Sequence, residues 1–240
     1  MYIRSWYIVC IVLSLFLLSC KKEVEEPPSI EEDGRYFPLQ TRCYSIYEVE
    51  NITYSLLQGN KIKNYFLKER IADSSLDLSG SIAYRMERYT SSKKDGPWTI
   101  DSVWIARRDG RQCIKIENNV TLVKLMLPLI ENFTWNGDQR NIAREEDANQ
   151  FSKLFRMVGV ERPLTVNGQV FDYTVTVVQR KDSSLVSKDF RTEIYAKDVG
   201  LVYRQKVITF NVQEGGQIVF PLTIDHGVSY TEKIVTYGKE

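Results

Sequence analysis

Four two-residue turn dipeptides, each set between runs rich in β-branched and aromatic residues, constrain this chain more than any other feature. Gly59-Asn60 separates YSLLQ from KIKNYFL, and Asp109-Gly110 separates SVWIARR from RQCIKIE. Asn167-Gly168 separates PLTV from QVFDYTVTV, and Gly215-Gly216 separates ITFNVQE from QIVF. Such pairs supply the positive φ angles of tight hairpin turns, so the runs on either side must become antiparallel neighbours. The expected fold is mainly β: a single antiparallel meander sheet of roughly ten to twelve strands, strongly curved or barrel-like. At most one short helix is expected. Ala143–Val158 sets Phe151, Leu154, Phe155 and Val158 at i, i+3, i+4 and i+7, behind the acids Glu145, Glu146 and Asp147. An irregular strand is the alternative there.

One hairpin can be registered. A loop of Asp109-Gly110 pairs Ile105 with Ile114 and Val103 with Ile116 on one face, and Trp104 with Lys115 and Ala106 with Cys113 on the other. One face is then apolar and the other mixed, as expected of an antiparallel sheet covered on one side.

The first nineteen residues stand outside the fold. Arg4 is their only charge, and the run Trp6–Ser19 is uncharged and dominated by Ile, Val, Leu and Phe. A bilayer span needs roughly 20 apolar residues, so this run suits the apolar region of a signal peptide. It ends in Leu17-Leu18-Ser19-Cys20, which resembles the lipobox of bacterial lipoproteins. That resemblance implies cleavage before Cys20 and acylation of the cysteine, two or three acyl chains giving durable anchoring. A plain signal peptide or an uncut anchor with an incidental cysteine is the alternative. Residues 20–35 are then a flexible acidic tether, carrying Glu23, Glu25, Glu26, Glu31, Glu32 and Asp33 around Pro27-Pro28. Charges just after the cysteine resemble export signals of surface lipoproteins in Bacteroidota, but Lys21-Lys22 come first, and the surface and periplasmic faces both stay open.

Residues 36–240 are expected to form one β-rich domain, a size ordinary for a single all-β unit. Losing Arg4 brings the 32 basic side chains level with the 31 acidic ones. Nothing in that balance draws the domain to nucleic acid. Two cysteines remain in it, Cys43 and Cys113. An oxidising compartment permits a disulfide between them, and two buried free thiols are the favoured reading.

Several stretches taken in order resemble a family of uncharacterised lipoproteins from Bacteroidota. They are YFPLQT at 36–41, YSIYEVENITY, AYRMERY, PWTIDSVWIARR at 97–108, VKLMLPLIENFTWNG at 123–137, VNGQVFD, EIYAKDVGLVYR at 193–204 and YTEKIVTYG. The chain departs from the pattern at Cys43-Tyr44-Ser45, where a Gly and a Trp are expected, and through Ala143–Glu161. The resemblance implies an envelope location, outer-membrane anchoring and a β-rich fold, with no catalytic residues to carry over.

Chemistry is sparse. His226 is the only histidine, which excludes any metal site with two His ligands, and no cofactor or metal is expected. TIDHGVSY reads as a turn rather than a catalytic motif, and no phosphate loop or serine elbow is present. Trp98, Trp104 and Trp135 read as core or rim anchors, and Arg107, Arg108 and Arg111 as a solvated hairpin tip. Asp101–Val103 matches a short O-glycosylation motif, weakly. The expected protein is a lipid-anchored, non-enzymatic envelope lipoprotein that binds an apolar or envelope ligand. An interaction or scaffold module for an envelope protein partner is the alternative, and a hydrolase using paired carboxylates a third. A carrier needs a curved sheet around a cavity its own side chains leave empty. An interaction module needs a filled core and an exposed apolar patch.

Overall fold

The computed structural model describes residues 29–77, 80–141 and 154–240. The first half of the sheet is β1 (Cys43–Ser55), β2 (Lys61–Leu76), β3 (Ile82–Ser91), β4 (Thr99–Asp109), β5 (Gln112–Glu117) and β6 (Val120–Met126). The second half is β7 (Thr134–Asn136), β8 (Leu154–Val166), β9 (Gln169–Ser183), β10 (Ser187–Ala196) and β11 (Gly200–Asn211). A small ribbon, β12 (Gln213–Glu214) with β13 (Gln217–Ile218), precedes the last strand, β14 (Ile224–Lys239). Twelve strands form one antiparallel sheet in the order β6-β5-β4-β3-β2-β1-β14-β11-β10-β9-β8-β7. Two meanders are therefore joined through β14, which lies between β1 and β11. The sheet curls until its edges meet. Val123 N–H donates to the Gly137 carbonyl (2.8 Å), and the Trp135 indole N–H to the Val123 carbonyl (2.8 Å). The result is a nearly closed barrel, which leaves little open edge for another chain to pair with.

Two of the four turn dipeptides form two-residue loops; Asp109-Gly110 is shifted, and Gly59-Asn60 only ends a longer connection, 56–60, between β1 and β2. Val166 pairs with Gln169 across Asn167-Gly168, and Glu214 with Gln217 across Gly215-Gly216, which closes the β12–β13 ribbon rather than a sheet hairpin. At the third, Asp109 pairs with Gln112, so the loop is Gly110-Arg111. Ile105 therefore opposes Ile116, two residues from the expected register. Between β10 and β11, Gly200 takes φ +90 where the chain reverses, with the Pro38 ring against it. An L side chain is strained at that angle.

The helical reading of Ala143–Val158 fails where it can be seen. Leu154–Val158 belongs to β8, because Trp135 on β7 and Val177 on β9 pair with Phe155 and Met157. Residues 142–153 lie outside the described set. The one described α-helix is α1 (Ile30–Asp33), capped by Ser29, within the stretch read as tether. It continues into a 3₁₀ turn, Gly34–Tyr36, and that segment is fastened across one barrel end. Arg35 Nε donates to Asp198 at 2.6 Å, Lys197 pairs with Glu32 at 2.6 Å, and Leu129 N–H donates to Asp33 at 2.7 Å. Tyr36 and Phe37 then enter the main core with Met86, Leu125, Met157 and Tyr195.

The two ends of the barrel differ. The starts of β1 and β11, the end of β14 and the N-terminal segment make one end. The turns 56–60, 118–119 and 184–186 and the β11–β14 connection make the other.

Candidate functional site

The barrel interior is organised by charge. Along β2, β5, β10, β11 and β14 the inward positions hold ionisable residues between apolar ones: Glu69 between Leu67 and Ile71, Lys115 next to Cys113, Glu232 between Tyr230 and Ile234. Lys124 joins them through a β-bulge. Cys113 pairs with Leu125 and Ile114 with Val123, so Lys124 has no partner across the ladder and swings inward.

Four cations meet four carboxylates here. Arg88 Nε donates to Glu69 (3.0 Å) and Lys115 Nζ to its other oxygen (3.2 Å). Lys124 Nζ reaches Glu193 (2.5 Å) and Glu117 (3.3 Å). Arg204 spans Glu193 (3.0 Å), Glu117 (3.4 Å) and Glu232 (3.4 Å). Tyr195 donates to Glu193 at 2.6 Å, and the Arg88 guanidinium lies 3.7 Å over the Trp104 ring. Lys124, Glu193 and Glu232 are no more than 2% exposed. Charges this deep persist only because each is paired and hydrogen-bonded.

The pairing sets the protonation. Burial acts to raise Glu69 and Glu193, but it is outweighed: Lys115, Arg88 and Arg204 hold Glu69 at about 2, and Lys124 with Arg204 holds Glu193 at about 2. Glu232 goes the other way. Burial raises its carboxyl pKa, Arg204 only partly offsets this, and the Glu69 charge raises it further. Its Oε1 atom is buried with no hydrogen-bond partner among the described residues.

A cavity opens on each side of this layer. One, of about 540 Å³, lies beneath the N-terminal segment at the tethered end. Its walls include Phe37, Leu39, Ile71, Met86 and Leu201, with Glu69 and Lys115 on its lining and Arg108 and Lys239 among its polar residues. The other, of about 370 Å³, opens at the far end among Tyr65, Trp104, Tyr230, Arg191, Lys206 and Gln179.

The expected β4–β5 faces keep their membership, but the roles are reversed along β4, while on β5 Ile114 from the apolar face stays buried in the main core. Trp104, Ala106, Cys113 and Lys115 are buried inside, while Val103 and Ile105 are 49% and 39% exposed. The mixed face turns inward because Lys115 finds Glu69 there. Trp104 and Trp135 are core residues, as expected of anchors. Arg107 pairs with Asp77 and Arg111 donates to the Leu127 carbonyl (2.5 Å), so that hairpin tip is bound to its neighbours rather than simply solvated. Cys43 and Cys113 are free thiols; burial pushes Cys113 up to about 12, which leaves it inert. His226 lies in β14, not in a turn, at the far end, stacked on Phe210 (4.8 Å) and bonded to Asp225 (2.8 Å). Cys20 lies outside the described residues. Among the described residues no group of His, Cys, Asp and Glu is placed to hold a metal.

The charged layer itself escapes sequence reading, since its members come from seven strands. The available signal is weak: an ionisable residue sharing strand parity with buried aromatic or aliphatic neighbours, as Glu69 and Glu232 do.

No family model matches the chain, and no curated protein matches it. Among solved structures it is similar to one from Bacteroides fragilis named as an exported protein with a YmcC-like fold, at 10% identity and TM-score 0.44, covering 84% of this chain and 98% of that one. A structure from Parabacteroides distasonis named as a lipoprotein follows, at 10% identity and TM-score 0.40, over 83% and 98%. A third, from Vibrio parahaemolyticus, is named as an outer membrane lipoprotein-sorting protein domain, at 12% identity and TM-score 0.22, over 88% and 89%. Likenesses this distant bear on neither ligand nor activity.

Proposed function

We propose that this chain is an envelope lipoprotein anchored through Cys20, and that its barrel is a non-enzymatic binding protein for an amphipathic envelope ligand. The 540 Å³ cavity under the N-terminal segment carries the reading. Its size falls within the range of small-molecule sites, roughly 300–1,000 Å³, and apolar walls with a few convergent polar groups are what such sites offer. The buried carboxylates next to it are occupied by cations and favour a structural role over acid–base chemistry. The cavity also lies at the end where the chain from Cys20 enters, so a ligand drawn from the anchoring membrane has a short path.

Two outcomes test this. Cys20→Ser is expected to abolish labelling by fatty acid and to move the protein from the membrane fraction to the soluble one; retained membrane association with no label in the wild type overturns the anchor. Separately, residues 21–240, which hold every described element, are expected to carry a stoichiometric apolar adduct in native mass spectrometry. Leu39→Trp, at the partly buried mouth, should remove the adduct and cost no more than about 1–3 kcal/mol of stability, so the domain still folds. A clean apo mass in repeated preparations counts against the cavity reading.

A second reading has an observation of its own. The far end exposes Leu56, Leu57, Ile62, Phe220 and Leu222, with Leu57 94% exposed. A partner protein seated there would make the domain an interaction module, and crosslinking in the native envelope would detect it.

A further inference from the structure

The far-end cavity is built differently from the one beneath the N-terminal segment. Arg180 on β9 stands directly opposite Arg191 on β10, and Arg191 directly opposite Lys206 on β11. Like charges facing one another across a sheet destabilise it. Asp189 answers part of this row, at 2.8 Å from Arg191 and 3.8 Å from Arg180, and Asp182 lies 3.2 Å from Arg180. Lys206 makes no ion pair with a described residue. Burial and the Arg191 charge hold its ammonium pKa below the ordinary value.

Three bulges aim side chains into this same cavity. Asp101 has no partner between Arg88↔Ser102 and Tyr89↔Ile100, Lys124 none between Cys113↔Leu125 and Ile114↔Val123, and Gln179 none between Arg191↔Arg180 and Thr192↔Val178. All three line it. A bulge costs ladder hydrogen bonds and is used to re-aim a side chain, and three converging on one mouth mark a built site. The lining has a surplus of donors. Gln179 Nε2 and Trp104 Nε1 are buried with no acceptor among the described residues. Glu69, Glu117, Glu193 and Glu232 answer Arg88, Lys124 and Arg204, and Asp189 answers Arg191, so Lys206 is the lining cation left without a carboxylate among the described residues.

We infer that this mouth is a binding site for the oxyanion group of a ligand, a phosphate above all, with Lys206 and Arg191 as its primary contacts and Gln179 as a supporting donor. An oxyanion between Arg191 and Lys206 removes their repulsion and takes charge-assisted hydrogen bonds from both. The same face of the sheet continues outward through Ile208 and Val228 to Phe210. That apolar run favours an anionic amphiphile, such as a lipid headgroup with its chain, over a free ion. The site does not depend on the cavity at the tethered end.

The test is thermal unfolding of residues 21–240 in inorganic phosphate, and separately in dihexanoyl phosphatidic acid, each against chloride of equal ionic strength. A rise in Tm with phosphate shows that the headgroup suffices; a rise with the lipid alone shows that the chain is also needed. Either supports the site. Lys206→Gln is expected to weaken the effect at least about tenfold in apparent affinity. Without ligand it should unfold no lower than wild type, since it relieves the cation row. No rise with either probe, or a rise that survives Lys206→Gln unchanged, overturns the inference. Leu39→Trp should leave these shifts intact, which separates this site from the other.

Discussion

Replacing Glu193 by Gln lowers the stability of the barrel by about 3–5 kcal/mol, the usual cost of breaking a buried ion pair by removing one partner. The shape of the side chain is kept, so the loss reports charge. Lys124, 2.5 Å away and 1% exposed, would retain only Glu117, and Arg204 would lose its nearest carboxylate. The double change Glu193→Leu with Lys124→Met should cost less than Glu193→Gln alone, because an apolar pair leaves no uncompensated charge. Urea unfolding of the three proteins decides it, and a double mutant weaker than the single would contradict this account. The same pair sets an acid limit. Glu193 is held at about 2, below its ordinary value of 4.5. Its stabilisation is therefore complete above pH 4.5 and is lost as pH falls toward 2. Glu69, also held at about 2, adds to that slope. In Glu193→Gln the slope is expected to be shallower.

Gly227→Ala should be nearly as costly, about 3 kcal/mol, for a backbone reason. Gly227 takes φ +149, and a β-carbon there would stand 2.3 Å from the Ile208 carbonyl oxygen and 2.7 Å from Thr209 Cα. Neither is a side chain that can swing aside. To accommodate it, β14 must move from β11 in the middle of the sheet, disturbing the Phe210–His226 stack. Urea unfolding within about 1 kcal/mol of wild type would show that the two strands have room the structure does not give them.

Much of the architecture was legible because it is local. Turn dipeptides announce hairpins wherever two central residues need positive φ, and Asn167-Gly168 set its register to the residue. The β4–β5 loop slipped because Gly110 could turn with Arg111 as readily as with Asp109. The interior was not legible, and the reason is physical. Val103 and Ile105 look like core residues and Lys115 does not, unless Glu69 is known to wait across the barrel. Bulges compound the difficulty, since each one reverses strand parity, and Lys124 sits at such a step between buried Val123 and Leu125. Leu154, Phe155 and Val158 fit a helical stripe equally well until β7 and β9 supply partners.

The middle of the sheet has a consequence for how such a protein can be made. Its central pair is formed by the first strand and the last, Cys43 opposite Lys239 and Ser55 opposite His226. The two meanders touch at β6 and β7, but their central seam cannot close until β14, a sixteen-residue strand, is available. A chain made from its N-terminus would therefore hold two half-sheets in contact only at β6 and β7, without Glu232 in the charged layer, until β14 is made. Closure of this barrel is gated by β14, and a truncation that removes it opens the sheet at its centre rather than trimming one edge.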